Sequence, residues 1–570
     1  MPDRFQIAAS LREIGRLLGV RGENPFKAQA YERGARALEN LQGDLDTLIK
    51  ARRLTEIPGI GAALASVIEE IHRTGESWML QKLREELPPG AVELSEIPGL
   101  SLKKIIALHD TLNIESVADL KTACQEGLVR SVKGFGEKSE AKLLADIEKL
   151  DRHEERTLLP RALNEADHIL EYLRAAPELI AAETAGALRR YKETVRKLSI
   201  VASSKNAKAV LDRFLCFPSL TRTSELDEEH CVGVLASGLQ AELTVASPAD
   251  YIAALHLATG SQSHVAKLKA MTGGMSLAMG AEKQSKKLGK EQNIKSEEDI
   301  YRRLNLEYIP PELREDEGEI EAAASGTLPE LVAFDDIQGL VHCHTVYSDG
   351  QNTIEEMSLA ADALGMKYLT ITDHSPTAYY ARGVEIDRLR AQWEEIERVQ
   401  EKVHVKLLKG TESDITQGGT LDYPDHILER FDVIIASIHA RNKMNSDQMT
   451  RRLKSVFELP VFKIWGHPLG RIIQSRPPFE CRMEELLDVI AASKVAIEVN
   501  GDPHRLDLEP RWIRAARERG IRFVVSTDAH SIAGLGYLRY GVAMARRGWL
   551  ATKDILNTLD AEDFMRAVHP

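Results

Sequence analysis

The sequence has no run of apolar residues long enough to cross a membrane, which would need about 20 of them. Residues 1–18 predict an amphipathic helix and lack the apolar segment and cleavage site of a signal peptide. The five cysteines are scattered and never in CxxC spacing, which argues against a disulfide framework or a thiolate zinc site. We therefore expect a cytoplasmic protein from a reducing compartment, with no membrane partner.

A basic excess is also missing, because the formal net charge is −13. This charge argues against a uniformly basic surface for nucleic acid, but it permits local basic surfaces, and metal sites themselves use carboxylates. With 43% hydrophobic and 28% charged residues the chain has the composition of a globular protein. Its 570 residues are too many for one ordinary core, so three or four domains are expected.

Three related turns in the N-terminal part predict helix–hairpin–helix elements. They lie at 57–61 (IPGIG), 97–101 (IPGLS) and 132–136 (VKGFG), each followed by a helical stretch. Glycine lets the backbone approach a phosphate there, and the N–H groups of the next helix face it. One such turn could be a plain helix–helix connection, but three favour binding of the DNA backbone without sequence preference. The predicted DNA-binding residues are Gly59, Gly61, Gly99, Gly134, Gly136 and Lys138.

Residues from 150 to about 320 predict mixed α/β structure. Within them, 185–195 (AGALRRYKETV) and 259–261 (TGS) resemble the palm of bacterial-type family X DNA polymerases. The segment 308–315 resembles the one that leads into the C-terminal PHP (polymerase and histidinol phosphatase) domain of that family. The resemblance covers nearly the whole chain.

The resemblance implies a multidomain protein with α-helical helix–hairpin–helix domains, a mixed α/β polymerase-like palm and thumb, and an α/β PHP domain. The PHP domain is expected to be a distorted seven-stranded β/α barrel. The expected domains are a helix–hairpin–helix domain of the 8-kDa type at 1–85, a fingers-like helix–hairpin–helix domain at 86–150, a degenerate palm and thumb at 151–320, and a PHP metallo-phosphoesterase domain at 336–570.

The palm departs from the family pattern where its chemistry needs carboxylates. The resemblance places two magnesium-binding aspartates where this chain has Lys197 and Ser199, and the third at Glu242. Two-metal phosphoryl transfer needs carboxylates that bridge both ions, and a lysine there repels them. We therefore expect negligible polymerase activity, and magnesium only if other carboxylates substitute. The Schiff-base lysine of family members with lyase activity falls on Val67, so lyase activity at that position is not expected.

From residue 338 onward, apolar β-rich runs alternate with helical ones, which predicts a parallel barrel. Catalytic residues of such barrels lie at the C-terminal ends of the strands. A lone histidine is more often an ordinary core or surface residue, but that interpretation weakens when strand after strand ends in a potential ligand. Six of the seven strand-like segments close on His, Glu or Asp; the segments are 339–344, 368–374, 405–412, 432–439, 462–467, 495–500 and 522–530.

The candidate catalytic and metal-ligating residues are His342, His344, Asp349, His374, Glu412, His439, His467, Asp528 and His530. They match the PHP family pattern, and the resemblance implies that they hold up to three metal ions. Mixed imidazole and carboxylate sites suit Mn, Zn or Fe. Clustered ions lower the pKa of a bound water and stabilise charge on a phosphate oxygen, so phosphoester hydrolysis is the expected reaction.

Four further residues follow the ligand strands. Arg382 and Arg471 are candidate phosphate contacts, because guanidinium pairs bidentately with phosphate, although each could equally be an ordinary surface arginine. His504 and Arg505 could line the mouth of the barrel, but we do not expect them to be ligands.

The favoured function is a metal-dependent 3′–5′ exonuclease, or 3′-end processing enzyme, of DNA repair type. Its expected partner is DNA, gapped or at 3′ ends, with no obligate protein partner evident. One alternative is a DNA-binding scaffold with an idle PHP site, and another is a small-molecule phosphatase of the histidinol-phosphatase type. Nine retained ligands beside an eroded palm favour the exonuclease, since a structural metal site needs fewer.

Overall fold

The computed structural model describes residues 2, 4–22, 25–39, 41, 45–88, 90–95, 97, 100–152, 156–271, 294–441 and 443–568. The chain forms two compact units. The first comprises Met1–Leu188, Thr194–Ala258 and Ala278–Ile294; the second comprises Arg189–Glu193, Thr259–Leu277 and Lys295–Pro570. Among the described residues, no helix is both long and apolar enough to span a bilayer.

The first unit begins with a purely helical part. Its apolar positions recur at helical spacing and bury one core, which includes Leu11 and Ile68. Gly59 and Gly134 turn the chain into the helices that follow them, with φ of 94° and 99°, a conformation that favours glycine. The helices are Arg4–Val20, Pro25–Glu39, Leu45–Lys50, Ala62–Thr74, Trp78–Glu86, Ala91–Ser95, Leu102–Leu112, Val117–Gln125 and Glu137–Arg152, with 3-10 turns at Leu54–Glu56 and Val129–Ser131.

The rest of the first unit contains a five-stranded mixed sheet of order β2-β4-β7-β6-β5. Strand β4 runs parallel to β7, and the other neighbours are antiparallel. The strands of this unit are β1 (Thr157–Leu158), β2 (Leu179–Ala185), β3 (Thr194–Val195), β4 (Lys197–Ser204), β5 (Leu220–Leu226), β6 (His230–Leu235) and β7 (Gln240–Ala246), and β1 pairs only with β3. The accompanying helices are Leu159–Arg174, Ala207–Leu215 and Tyr251–Thr259.

The second unit contains a nearly closed barrel of seven parallel strands in sequential order. Its strands are β8 (Gly339–Leu340), β9 (Tyr368–Ile371), β10 (Lys406–Asp414), β11 (Val433–Ser437), β12 (Lys463–Trp465), β13 (Val495–Asn500) and β14 (Phe523–Ser526). A parallel bridge between Cys343 and Ala529 brings the first and last strand ends together. The predicted seven-stranded β/α barrel is therefore confirmed.

Helices cover the outside of the barrel, so the strands are buried on both faces and read as nearly continuous apolar runs. The covering helices are Ile354–Ala363, Ile386–Gln400, Asp425–Leu428, Ser446–Phe457, Met483–Ala491, Pro510–Glu518 and Leu538–Arg547. The last helix, Ala561–Val568, instead packs Phe564 and Val568 against the core between the strands. Before the barrel, Gln262–Met271, Glu297–Arg303 and Glu319–Ser325 belong to the same unit and contribute to a separate small core.

One barrel strand carries a buried cation. The side chain of Lys463 is fully buried in β12 and donates a hydrogen bond to the carbonyl of Leu459 at 2.7 Å. Burial lowers the pKa of this ammonium to about 8. Because the unfolded chain holds the proton more tightly, the charged lysine destabilises the fold below pH 8, and this cost disappears as the pH approaches about 10.4.

We predict that Lys463→Met stabilises the barrel at pH 7 by about 1–3 kcal/mol and that the gain vanishes near pH 10. Differential scanning calorimetry of the full chain between pH 7 and pH 10 measures it. The control is Lys402→Met, since Lys402 is exposed and paired with Glu355. A melting temperature of Lys463→Met below that of the wild type at every pH would contradict this prediction.

Candidate metal centre

The nine predicted ligands lie together at the C-terminal ends of the barrel strands. His342 and His344 follow β8 two residues apart and share one face, while Cys343 between them points to Thr370. Candidate ligand atoms lie within 4.8 Å of one another in three groups: His344, Asp349, His374 and His530; His342, His344 and Asp528; and His374, Glu412 and His439. His467, the ninth residue, lies beside Glu412.

The carboxylate of Glu412 occupies the middle of this cluster. Its Oε2 atom is 2.9 Å from Nδ1 of His374, and its Oε1 atom is 2.8 Å from Nε2 of His467. Both the carboxylate and these rings are buried. The imidazoles with a nitrogen within 3.6 Å of this carboxylate belong to His342, His344, His374, His439 and His467.

Many ligand-type atoms here are buried without a hydrogen-bond partner in the described part of the chain. They are His342 Nε2, His344 Nδ1 and Nε2, Asp349 Oδ1, His374 Nδ1, both carboxylate oxygens of Glu412, and His467 Nδ1. Such atoms cost about 1–3 kcal/mol each when unsatisfied, so their concentration at one place needs an explanation. Each of these residues can donate a lone pair to a divalent ion, with one nitrogen per neutral imidazole, and the residues therefore fit a metal centre with more than one ion.

The electrostatics of the cluster keep its carboxylates ionised but divide its histidines. Despite burial, nearby carboxylates raise the pKa of His342, His439 and His530 above the ordinary value, so a metal ion would have to displace protons from these rings. The pKa of His344 is lowered to about 3, first by burial and then by the charges of His530 and His374. Burial opposes ionisation of Asp349, but these same histidines outweigh it and lower the pKa to about 2. The pKa of Glu412 lies well below its ordinary value for the same reason. Neutral imidazole and ionised carboxylate are the forms that bind metal.

Two buried acids that the sequence analysis did not select hold the histidine rings. His342 Nδ1 donates to Glu498 at 2.6 Å, and His439 Nδ1 donates to Asp414 at 3.1 Å. Partners of this kind fix the tautomer and orientation of a ligand histidine. The sequence did contain a signal for Glu498 that was missed. Side chains alternate along β13, so Glu498 lies on the same face as Asn500, the last residue of that strand.

The geometry does not support the predicted phosphate contact of Arg471. Its guanidinium is buried and donates to the carbonyl of Arg505 at 2.8 Å and to the carboxylate of Glu193 at 2.8 Å. Because protein groups take up these donors, the role of Arg471 is structural, which the sequence pattern could not show. Arg382 is exposed, immediately after the 3-10 turn Tyr379–Ala381, and its phosphate contact stays a prediction.

In the palm-like sheet, the carboxylate of Glu242 is paired with other side chains of the protein. Lys197 Nζ lies 2.7 Å from its Oε2, Ser199 donates to the same oxygen at 3.0 Å, and His230 Nε2 lies 3.0 Å from Oε1. Burial raises the pKa of Glu242, but the hydrogen bonds from Lys197 and His230 outweigh it and keep the pKa below its usual value. An ammonium thus neutralises the one acidic group left at the predicted positions.

The predicted hairpin residues that the structure describes are exposed. Gly61 and Gly136 are exposed, precede helices, and leave open space where a side chain would be. Lys138 is exposed in the helix after the third turn. Gly99 lies outside the described residues. Val67 is half-buried and packs against the helical core, as an apolar side chain should.

We predict that Glu498→Gln weakens the binding of Mn²⁺ to the cluster by about 10–100-fold, because a neutral amide no longer holds the ring of His342 as a carboxylate does. Isothermal titration with Mn²⁺ measures it. Glu480→Gln, which removes an exposed acid from the same unit, serves as the control. Equal affinities in the wild type and Glu498→Gln would show that Glu498 does not support a metal ligand.

Comparison with known proteins agrees with this arrangement. Residues 2–77 match the helix-hairpin-helix domain family, and residues 91–149 match the SAM-like helix-hairpin-helix tandem. Residues 254–315 match the DNA polymerase beta thumb, and residues 341–502 match the PHP domain.

Two relatives differ in how much of the chain they share. A probable phosphatase of Thermoanaerobacter sp. (strain X514) is 28% identical over 229 residues, which is 38% of this chain and 89% of the relative. The DNA polymerase/3′-5′ exonuclease PolX of Bacillus subtilis (strain 168) is 33% identical over 559 residues, which is 97% of each chain. The chain therefore belongs to the family X DNA polymerases that carry a C-terminal PHP domain.

Proposed function

We propose that this chain is a metal-dependent phosphoesterase whose barrel cluster acts as a 3′–5′ exonuclease, or 3′-end processing site, on DNA. One observation carries the proposal: buried, unpaired ligand atoms converge around Glu412 at the C-terminal mouth of the barrel. The relative that matches this chain end to end is named a polymerase and 3′–5′ exonuclease, which supports DNA as the substrate.

The nine residues around Glu412 would hold up to three divalent ions. Their mixture of imidazole and carboxylate suits Mn, Zn or Fe, and softness alone does not choose among these. When bound, such ions supply Lewis-acid activation of water and neutralise charge on a phosphate oxygen. Glu498 and Asp414 contribute by fixing the rings of His342 and His439.

DNA would be bound through its backbone by the helix–hairpin–helix turns. The exposed Gly61 and Gly136 and the exposed Lys138 support this role, because backbone N–H groups at a helix start and a nearby cation suit a phosphate. We propose that the enzyme works in the cytoplasm, since all five cysteines are free thiols.

We further propose that the palm has lost polymerase activity. Lys197 places its ammonium on Glu242, where a catalytic magnesium ion would need a free carboxylate. Ser199 cannot replace the second carboxylate, because a neutral hydroxyl does not bridge two divalent ions.

Two other functions use the same barrel. A small-molecule phosphatase of the histidinol-phosphatase type agrees with the relatives named probable phosphatases, but those match only 33–38% of this chain. A DNA-binding scaffold with an idle site would have no use for so many unpaired buried ligand atoms. The matched hairpin segments favour DNA over a small phosphoester.

We predict that the wild-type chain shortens 5′-labelled single-stranded and gapped DNA from the 3′ end in the presence of Mn²⁺. The variant His342→Ala/His344→Ala should be slower by about 100-fold or more, because it loses two ligands of the cluster. Denaturing gels measure the shortening, and histidinol phosphate offered in parallel tests the phosphatase alternative.

The control for this experiment is His404→Ala/His426→Ala, which removes two exposed histidines of the same unit. It should degrade DNA at the wild-type rate. The proposed exonuclease function is wrong if the wild type leaves both DNAs intact, or if the His342→Ala/His344→Ala chain degrades them as fast as the wild type. Turnover of histidinol phosphate alone would favour the phosphatase.

Primer extension tests the palm. We predict that the His342→Ala/His344→Ala variant, in which degradation cannot mask synthesis, adds no nucleotides to a gapped template with Mg²⁺ or Mn²⁺. The Bacillus subtilis relative, assayed in parallel, checks the conditions. Template-directed extension by this variant would overturn the proposed loss of polymerase activity.

A further inference from the structure

Three arginines lie together beside the metal centre. Arg505 Nε is 3.2 Å from Oδ2 of the predicted ligand Asp528, and Arg441 Nη2 donates to the carbonyl of Gly470 at 2.7 Å. Arg476 lies near both of them. Burial lowers the pKa of its guanidinium, and the positive charges of Arg505 and Arg441 lower it further. The buried acid Asp507 acts electrostatically on all three guanidiniums, but it accepts no hydrogen bond from them within the described residues. An anion that bonds directly to the guanidiniums would therefore add an interaction that the chain does not supply.

Two donors of this group have no partner. Arg476 Nε and Arg505 Nη1 are buried and make no hydrogen bond within the part of the chain that the structure describes. A buried, unpaired donor on a charged group is costly, and a ligand oxygen would remove that cost. The acids Asp528 and Asp502 lie within 3.7 Å of Arg505, but both face its Nε and leave Nη1 unpaired.

Tyr380 links the arginines to the metal centre. Its ring centroid is 6.1 Å from that of His374 and 5.9 Å from that of His439. It interacts electrostatically with both Arg476 and Arg505, so it borders the two groups at once. Its side chain is 69% exposed, which leaves an aromatic face for stacking with a base.

The arginines differ in their distance from the nine ligands. Arg505 contacts Asp528, whereas no ion pair joins Arg441 or Arg476 to any of the nine within the described residues. Arg441 and Arg476 therefore lie one step outside the place where a scissile phosphate would meet the metal ions. A polynucleotide presents a second phosphate beyond the scissile one, and a phosphomonoester does not.

We propose that Arg441, Arg476 and Arg505 form a subsite that holds the phosphate next to the scissile one, with Tyr380 contacting the base between them. This proposal rests on the proposed exonuclease function and deepens it, because it makes a polynucleotide the preferred substrate class of the barrel. Arg476 is then a positioning residue that binds the substrate without touching the reacting atoms.

A minimal pair of substrates tests the subsite. The dinucleotide dTpdT has only the scissile phosphate, and pdTpdT adds one flanking phosphate on its 5′ side. We expect the full-length wild type with Mn²⁺ to hydrolyse pdTpdT with a kcat/KM about 10–100-fold above that for dTpdT, the range for a charge-assisted hydrogen bond. Arg476→Gln and, independently, Arg441→Gln should bring this ratio close to one, because they lower kcat/KM for pdTpdT far more than for dTpdT, while the amount of bound Mn²⁺ stays at the wild-type level.

A salt titration with a single-stranded oligonucleotide gives a second readout. The slope of log KM against log salt should fall by about one in Arg476→Gln, because one phosphate contact is removed. Arg390→Gln is the matched control, since Arg390 is exposed in the helix Ile386–Gln400 and its ion pair with Asp387 is long, at 3.8 Å. It should keep the wild-type ratio and slope.

The possible results distinguish failure of the proposed subsite from failure of the proposed exonuclease function. A wild-type ratio of one, or a high ratio that survives in both variants, overturns the subsite while the exonuclease stands. If only the oligonucleotide is hydrolysed, an unchanged salt slope in Arg476→Gln overturns it. If the wild type hydrolyses neither the dinucleotides nor the oligonucleotide, the exonuclease itself is wrong and the subsite with it.

Discussion

A buried carboxylate surrounded by imidazoles is the constraint on which the second unit depends. Glu412 cannot be ionised in the interior without compensation, and five histidines converge on it from different strand ends. A parallel barrel brings those ends to one place, because all its strands deliver their last residues to the same mouth. The fold and the candidate chemistry are therefore two consequences of the same arrangement.

The palm-like sheet also contains a partly buried carboxylate, but its charge is compensated differently. Glu242 is also partly buried and ionised, but Lys197 and His230 compensate it with groups of the chain itself. A carboxylate satisfied internally has no need of a metal ion, whereas the barrel cluster leaves its ligand atoms unpaired. This contrast is the physical basis of the proposal that the barrel, and not the palm-like sheet, carries the chemistry.

Much of the barrel could be predicted from sequence because two local signals coincide there. Each strand is a short apolar run, and all but one close on a ligand-type residue, so the seven strands follow from periodicity. The full set of nine side chains, which includes Asp349 in a loop, also needed the resemblance to the PHP family. Partnerships between distant side chains have no such signal. Glu498 holds His342 across 156 positions of sequence, and Arg471 bonds to Glu193 across 278. Strand alternation could place Glu498 on the same face as Asn500, but the sequence could not identify either bonding partner.

The central claim is that the cluster around Glu412 holds several metal ions, and anomalous X-ray scattering tests it most directly. Crystals of the full chain soaked in Mn²⁺ are measured on either side of the manganese absorption edge. We predict more than one anomalous peak, each within coordination distance, about 2.0–2.6 Å, of side chains among the nine. A map with no peak at Glu412, or with manganese only elsewhere on the chain, would contradict it.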